Sequence, residues 1–223
     1  MYRIPRLILI IDGMGDRPIL ELGDKTPLQS ANLPVLDRLA QEGQCGVADP
    51  VKRGIVATTV LGTLAILGYD PLKYSIARGV IEAHGSEMEI MPGDVAFRGN
   101  WATLDDQGKI VDRRAGRLRE GTEELASSLC GLKVEDITVD VGAGTEHRVA
   151  VVLRGAGLGD CVSGSDPGDR YRSGIKPRLP IPLNKNDEKS YRTAKLLNLF
   201  ELQARKILAK HPLNIARVSK GLF

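Results

Sequence analysis

Arg6-Leu-Ile-Leu-Ile-Ile-Asp12-Gly-Met-Gly15 places five leucine or isoleucine residues in a row and closes them with an acid followed by glycines. A run that is apolar at every position, with no alternation, predicts a strand buried on both faces, as in a parallel sheet. Such a strand delivers Asp12 to the carboxyl edge of the sheet, where open α/β folds place their ligands. Downstream, Thr26 to Asn32 reads as a loop or short helix. Leu33 to Gln41 follows, with apolar residues at helical spacing and Gly43 placed to end the helix. Cys45 to Val51 is expected to form the next strand.

Gly54 to Gly68 holds Ala57-Thr58-Thr59-Val60-Leu61-Gly62 just before an apolar helical stretch, Val60 to Leu67. Either threonine suits the N-cap of that helix. A hydroxyl there also sits beside free backbone N–H groups and the positive end of the helix dipole, which favours a bound phosphate. From about Gly85 the pattern changes. Asp94 to Asp105 and Lys109 to Arg114 read as two strands joined by a turn, Glu120 to Leu129 as a helix, and Asp136 to Asp140 and His147 to Arg154 as two more strands. Two strands, a helix and two strands make a compact α+β unit. Ser163 to Pro182, rich in Gly, Pro, Ser, Asp and Arg, is expected to be a connecting loop, and Asp187 to Lys210 a long amphipathic helix ended by His211-Pro212.

The chain has 223 residues, 42% hydrophobic and 26% charged, enough for one sizeable domain or two small ones. Its formal net charge of +3 is too small and too dispersed to mark a nucleic-acid binder. Arginine clusters at Arg113, Arg114, Arg117 and Arg119. Guanidinium forks of this kind suit phosphate or carboxylate ligands, and the same cluster would also serve as a solvated face. The three cysteines, Cys45, Cys130 and Cys161, have no C-x-x-C spacing and are expected to be packed thiols in a reducing compartment. Met1 to Pro5 has no leader pattern, and Leu7 to Ile11 is too short to span a bilayer, so a cytoplasmic location without membrane contact is expected.

Longer strings add to this. In order stand Asp12-Gly-Met-Gly-Asp16-Arg-Pro18, Lys25-Thr-Pro-Leu-Gln29, Ala31-Asn32 and Asp37-Arg-Leu-Ala40, then Leu67-Gly-Tyr-Asp-Pro71, Arg78-Gly-Val-Ile-Glu82-Ala83, and Gly93-Asp-Val-Ala-Phe-Arg98 with Asn100. Val111-Asp-Arg-Arg-Ala-Gly-Arg117, Glu146-His-Arg148, Val152-Leu-Arg-Gly155 and Ser165-Asp-Pro167 continue the series. It resembles the archaeal-type 2,3-bisphosphoglycerate-independent phosphoglycerate mutases of the alkaline phosphatase superfamily, over nearly the whole chain.

The resemblance implies transfer of a phosphoryl group between the 3- and 2-positions of glycerate through a phospho-enzyme, helped by two divalent ions (Mn, Mg, Zn or Co) that neutralise the developing charge. Asp12 is then a metal ligand. Counting back from Leu67 puts Thr59 at the family's nucleophile position, where it would also touch metal; the alternative is that Thr59 only caps a helix. Arg78, Arg98, Asn100, Arg113, Arg114, Arg117, His147 and Arg148 are the substrate-anion candidates, about half of them expected to touch ligand. His84 and His211 read as packing or surface residues. The chain departs from the family pattern at Thr58, Val60, Thr63 and Gly168.

The carboxylates and histidines that complete both metal sites in the family lie in a second half of the phosphatase core, for which this sequence has no counterpart. The expected fold is therefore α/β, an incomplete alkaline-phosphatase-like core with an inserted α+β cap domain: 1–84 core, 85–182 cap, 183–223 a return helix packing on the core. A sheet with so few strands leaves edges unpaired, so a homo-oligomer or a companion polypeptide is expected to supply the missing half. Three readings stand: a phosphoglycerate mutase, possibly split; a non-catalytic protein or subunit binding phosphoglycerate or a similar small anionic metabolite, or a partner; and a phosphatase or phosphodiesterase, against which the cap strings argue.

Overall fold

The computed structural model describes residues 7–11, 13–74, 76–168 and 173–222 and divides into two units, Met1–Arg53 and Gly54–Phe223. In the first unit, α1 (Pro27–Ser30) has a complete capping box: Thr26 Oγ1 accepts from the Gln29 amide, and the Gln29 side chain accepts from the Thr26 amide. Helix α2 (Pro34–Glu42) starts with proline in its first turn and stops at Gly43, as the spacing predicts. The two expected strands are not formed. Residues 7–11 and 44–49 have no strand pairing, and none of the described residues from 7 to 53 is buried; Leu7 is 88% exposed and Leu9 71%. A strand exists only by hydrogen bonds to a neighbour, and no described segment of this unit pairs with the apolar run. Asp12 lies outside the described residues.

The second unit opens with α3 (Thr59–Ile66), in which Thr58 is the N-cap and its hydroxyl accepts from the Leu61 amide. Thr59 is the first helical residue and is exposed. After it comes α4 (Arg78–Gly85), then β1 (Val95–Asn100), the hairpin β2 (Thr103–Leu104) and β3 (Ile110–Asp112), α5 (Thr122–Leu129), and β4 (Leu132–Val134), β5 (Ile137–Ala143) and β6 (Arg148–Arg154). The chain closes with α6 (Glu188–Ala209) and α7 (Pro212–Ser219). Strands β1, β6, β5 and β4 form, in that order, an antiparallel sheet; β2 and β3 pair separately. Helices α4 and α7 and strand β4 add to what periodicity predicts. Strand β4 has three residues and α4 contains glycine and histidine, too little pattern to register.

The sheet has helices on both faces, and the alternation along β6 shows why. Val149, Val151 and Leu153 join Ile137, Val139 and Val141 of β5 in a core closed by Leu125, Ala126 and Leu129 of α5 and Leu196, Leu197 and Phe200 of α6. Ala150 and Val152 point the other way, onto Ala83 of α4. The buried face of α6 thus belongs to this sheet's core. Helix α4 can lie this close because residue 79 is glycine: a Cβ there would fall 2.0 Å from the Ala96 carbonyl oxygen. Arg154, at the end of β6, is held by Asp94, by Asp140 at 2.6 Å and by the Glu89 carbonyl at 2.6 Å.

All three cysteines are exposed free thiols, which corrects the expectation of packed ones: Cys130 ends α5, and Cys45 and Cys161 lie in irregular segments. Among the described residues no helix is long and apolar enough to cross a membrane.

Candidate functional site

Alternation that sends Ala150 and Val152 toward α4 sends Arg148 to the same face, at the start of β6. On β1 the residues in register with it, Arg98 opposite Ala150 and Asn100 opposite Arg148, share that face. The Arg148 guanidinium donates to Asn100 Oδ1 at 2.5 Å. Arg98 is held by Glu82 of α4 at 3.0 Å. With Arg78 and Gly79 at the start of α4, and Arg113 and Asp166 from two loops, these residues line a cleft of about 300 Å³. Its walls hold four arginines and one carboxylate.

Arg113 leaves β3 just before a left-handed turn. Ala115, Gly116 and Arg117 have φ of 45°, 66° and 54°, a conformation unfavourable for the two non-glycine residues. The Asp112 carboxylate braces the turn by accepting from the Arg114 amide at 2.8 Å and the Gly116 amide at 2.7 Å. Arg113 then reaches Asp166 through both ends of its fork, Nε to Oδ1 at 2.7 Å and an Nη to Oδ2 at 2.5 Å. Asp166 also accepts from Asn100 at 3.4 Å and from the Gly168 amide at 2.9 Å. Partial burial pushes its carboxyl up, but the bonds from Arg113 and Gly168 and the nearby arginine charges outweigh this and hold it below the usual carboxylate range. Asp166 is therefore ionised and part of the cleft wall.

Of the substrate-anion candidates, Arg78, Arg98, Asn100, Arg113 and Arg148 come together here. Arg78 is exposed and makes no ion pair or side-chain hydrogen bond with another described residue, at the uncapped start of a helix with no acid in its first turn. Arg114, Arg117, His147 and Thr59 do not line the cleft. Arg117 points at Glu146, 4.0 Å away, together with Arg119 at 3.4 Å. His147 is buried, with neither ring nitrogen hydrogen-bonded among the described residues; burial, then the charges of Arg148 and Arg114, pull its pKa below the ordinary value, with Glu146 opposing. His84 is exposed, and His211 caps α7. Sequence reasoning missed Asp166 as a wall of the site although the string Ser165-Asp-Pro167 contains it; the signal present was its place among the family strings.

A larger groove of about 530 Å³ lies between α6 and residues 179–182, but its walls are mainly Leu, Ile, Pro and Tyr side chains. Its two cations are already paired, Lys195 with Glu135 and Arg205 with Glu201. It offers an anion little, so the arginine cleft is the candidate. Among the described residues no three His, Cys, Asp or Glu side chains converge as a divalent ion would require. The donors described do not fit a two-ion centre.

Known proteins of this kind exist. The family model of 2,3-bisphosphoglycerate-independent phosphoglycerate mutase matches residues 40–214. A protein of that name from Methanocorpusculum labreanum is 43% identical over 219 residues, 97% of this chain and 53% of the relative. Its counterpart from Picrophilus torridus is 46% identical over 217 residues, 97% of this chain and 52% of the relative. The structure of the cofactor-independent phosphoglycerate mutase from Thermoplasma acidophilum superposes with a TM-score of 0.62 at 41% identity, covering 96% of this chain and 54% of that one. The chain thus spans about half the length of the relatives it matches.

Proposed function

We propose, from the fact that this chain belongs to the 2,3-bisphosphoglycerate-independent phosphoglycerate mutase family, that its Gly54–Phe223 unit binds phosphoglycerate in the arginine cleft. The observation that carries this is the convergence of Arg78, Arg98, Arg113 and Arg148 on one small cavity. Phosphoglycerate presents a phosphate at one end and a carboxylate at the other, and planar guanidinium forks pair with both. A cleft of about 300 Å³ suits a ligand of that size.

In this reading 1–84 is half of a phosphatase-like core, 85–182 the cap that holds substrate, and 183–223 the return segment. Thr59 is the nucleophile and Asp12 a ligand for divalent ions, whose remaining ligands come from a companion polypeptide or a second copy. The whole reaction is then the interconversion of 3- and 2-phosphoglycerate. A second reading, an anion-binding subunit without turnover, is favoured by Thr58 and Val60 flanking Thr59 and by the lack of a three-donor metal cluster among the described residues.

Calorimetric titration with 3-phosphoglycerate tests the cleft. Binding is expected, weakened by salt, and weakened more than about tenfold by Arg148→Ala, the weight of a charged hydrogen bond. Unchanged affinity in that variant overturns the cleft assignment. Turnover in the presence of a companion polypeptide separates the two readings: it should vanish in Thr59→Ala, and persistence there removes the nucleophile assignment. Ligand binding without turnover under any pairing selects the second reading.

A further inference from the structure

The left-handed turn that carries Arg113 into the cleft is closed from two sides. Asp112 accepts the Arg114 and Gly116 amides, and the Arg117 amide donates to Arg114 O at 2.8 Å. The Ala115 carbonyl is met from a distant part of the chain: Arg217 Nη2, on α7, donates to it at 3.3 Å. Ala115 is buried and has φ of 45°. A residue with a Cβ keeps that conformation only where its surroundings impose it. Helix α7 is anchored at its other end as well. Leu213 packs on Gly121, where a Cβ would fall 2.0 Å from the leucine Cδ1, and it joins the core that holds Ala115 and Leu118. His211, the N-cap of α7, accepts the Leu213 amide through Nδ1 at 3.3 Å and brings Nε2 to 3.7 Å from Glu124 of α5. Asn214 Nδ2 donates back to Leu208 O of α6 at 2.9 Å.

We propose that Arg217 is a positioning residue for the arginine cleft: α7 is fixed on α5 and α6, and from that footing Arg217 holds the Ala115 carbonyl, so that Arg113, two residues earlier, leaves β3 aimed at Asp166. A bond from a guanidinium to a carbonyl is charge-assisted, and this one acts on a residue whose backbone needs support. Released from it, Ala115 turns back toward the negative φ that alanine prefers. That rotation redirects the chain before it and draws the Arg113 fork away from its two bonds to Asp166. A fork aimed before the ligand arrives loses less freedom on binding, which is where the gain in affinity lies. The ligand part of this proposal rests on the cleft being a phosphoglycerate site; the orientation of Arg113 does not.

The test uses the full chain with Arg217→Met, which keeps an unbranched stem and removes the donor. The first readout is the Nε–H resonance of Arg113 in an ¹H–¹⁵N spectrum, assigned by its loss in Arg113→Lys. In the wild type it should be shifted and protected from exchange by the Asp166 bond, and in Arg217→Met it should move to the position of a solvated arginine. The Nε–H of Arg154, bonded to Asp140 at 2.6 Å on the same sheet and assigned in the same way, is the control and should stay in place. The second readout is calorimetry with 3-phosphoglycerate. Arg217→Met should bind about fivefold more weakly, the weight of one hydrogen bond. In an Arg113→Ala background the same change should cost no further affinity, because Arg217 acts through Arg113. An Arg113 signal that stays in place overturns the proposal. So does an Arg154 signal that moves with it, which marks general loosening, and so does additive loss of affinity. If the wild type does not bind 3-phosphoglycerate the cleft reading fails, while the two resonances still decide whether Arg217 positions Arg113. Should Arg217→Met not fold, Arg217→Gln, shorter and uncharged, carries the same readouts.

Discussion

Arg148 sits where several positive charges meet. Burial first, then Arg98, Arg113 and Arg114, act against its charge, with Glu82 the opposing influence. An arginine does not lose its proton under such pressure, so the repulsion remains in the folded state until an anion arrives. Arg148→Met removes the charge and keeps much of the stem. We expect its thermal midpoint without ligand to be close to that of the wild type, and the rise that 3-phosphoglycerate or sulfate gives the wild type to be lost, read by scanning calorimetry. His147 supplies a pH test. Its folded pKa lies below the unfolded value of about 6.5. As pH falls through about 6.5 the unfolded chain takes up a proton that the folded chain does not, so stability declines until the pH passes the lower folded pKa. Denaturant midpoints between pH 7.5 and 5.5 should fall in the wild type and flatten in His147→Asn. At this scale the sequence was informative where spacing sets direction: Arg98, Asn100 and Arg148 share a face because strand positions two apart do, and their cross-strand register makes them neighbours. Asp166 joins them from far along the chain through a loop, and no local pattern encodes that meeting.

Among the elements, α4 and the turn after β3 decide whether the arginines converge. Gly79 lets α4 rest on β1 with the Ala96 carbonyl where a side chain would be. Gly79→Ala must push the helix away from the strand, and overpacking of this kind costs about 1–3 kcal/mol. Chemical denaturation should show that loss. The same displacement carries off Arg78 and strains the Glu82–Arg98 pair, so affinity for 3-phosphoglycerate should fall as well. Asp112 does the equivalent work for Arg113, since its carboxylate accepts two amides of the left-handed turn. Asp112→Ala leaves both amides without that acceptor and should cost about 1–3 kcal/mol by the same measurement. Helices such as α2 and α6 were readable from periodicity and capping residues, which are local signals. The strand expected at 7–11 was not, because an apolar run becomes a strand only when another segment offers its hydrogen bonds.

For the molecule as a whole the contrast lies between a unit with a closed core and one without. Leu196, Ile137, Val139 and Leu153 are at most 1% exposed in the Gly54–Phe223 unit. No described residue from 7 to 53 is buried, and five consecutive apolar side chains, Leu7 to Ile11, are between 46% and 88% exposed. Apolar surface is worth about 25 cal/mol per Å² when removed from water, so this run gains stability from whatever covers it. In the mutase reading the cover is a strand of the remaining half of a phosphatase-like core, the part of the relatives that this chain does not span. Hydrogen exchange read by mass spectrometry should therefore find the amides of β5 and β6 slowest and those of 7–53 fast in the chain alone. Adding a polypeptide equivalent to the second half of a full-length relative should slow exchange at 7–11 selectively and leave the sheet unchanged. Exchange at 7–11 that stays fast with that half present, under conditions where the two polypeptides co-migrate, would remove the assignment of residues 1–84 to a phosphatase-like core. The lining of the arginine cleft, Arg78 and Gly79 included, lies in the Gly54–Phe223 unit, so its geometry does not depend on residues 7–53.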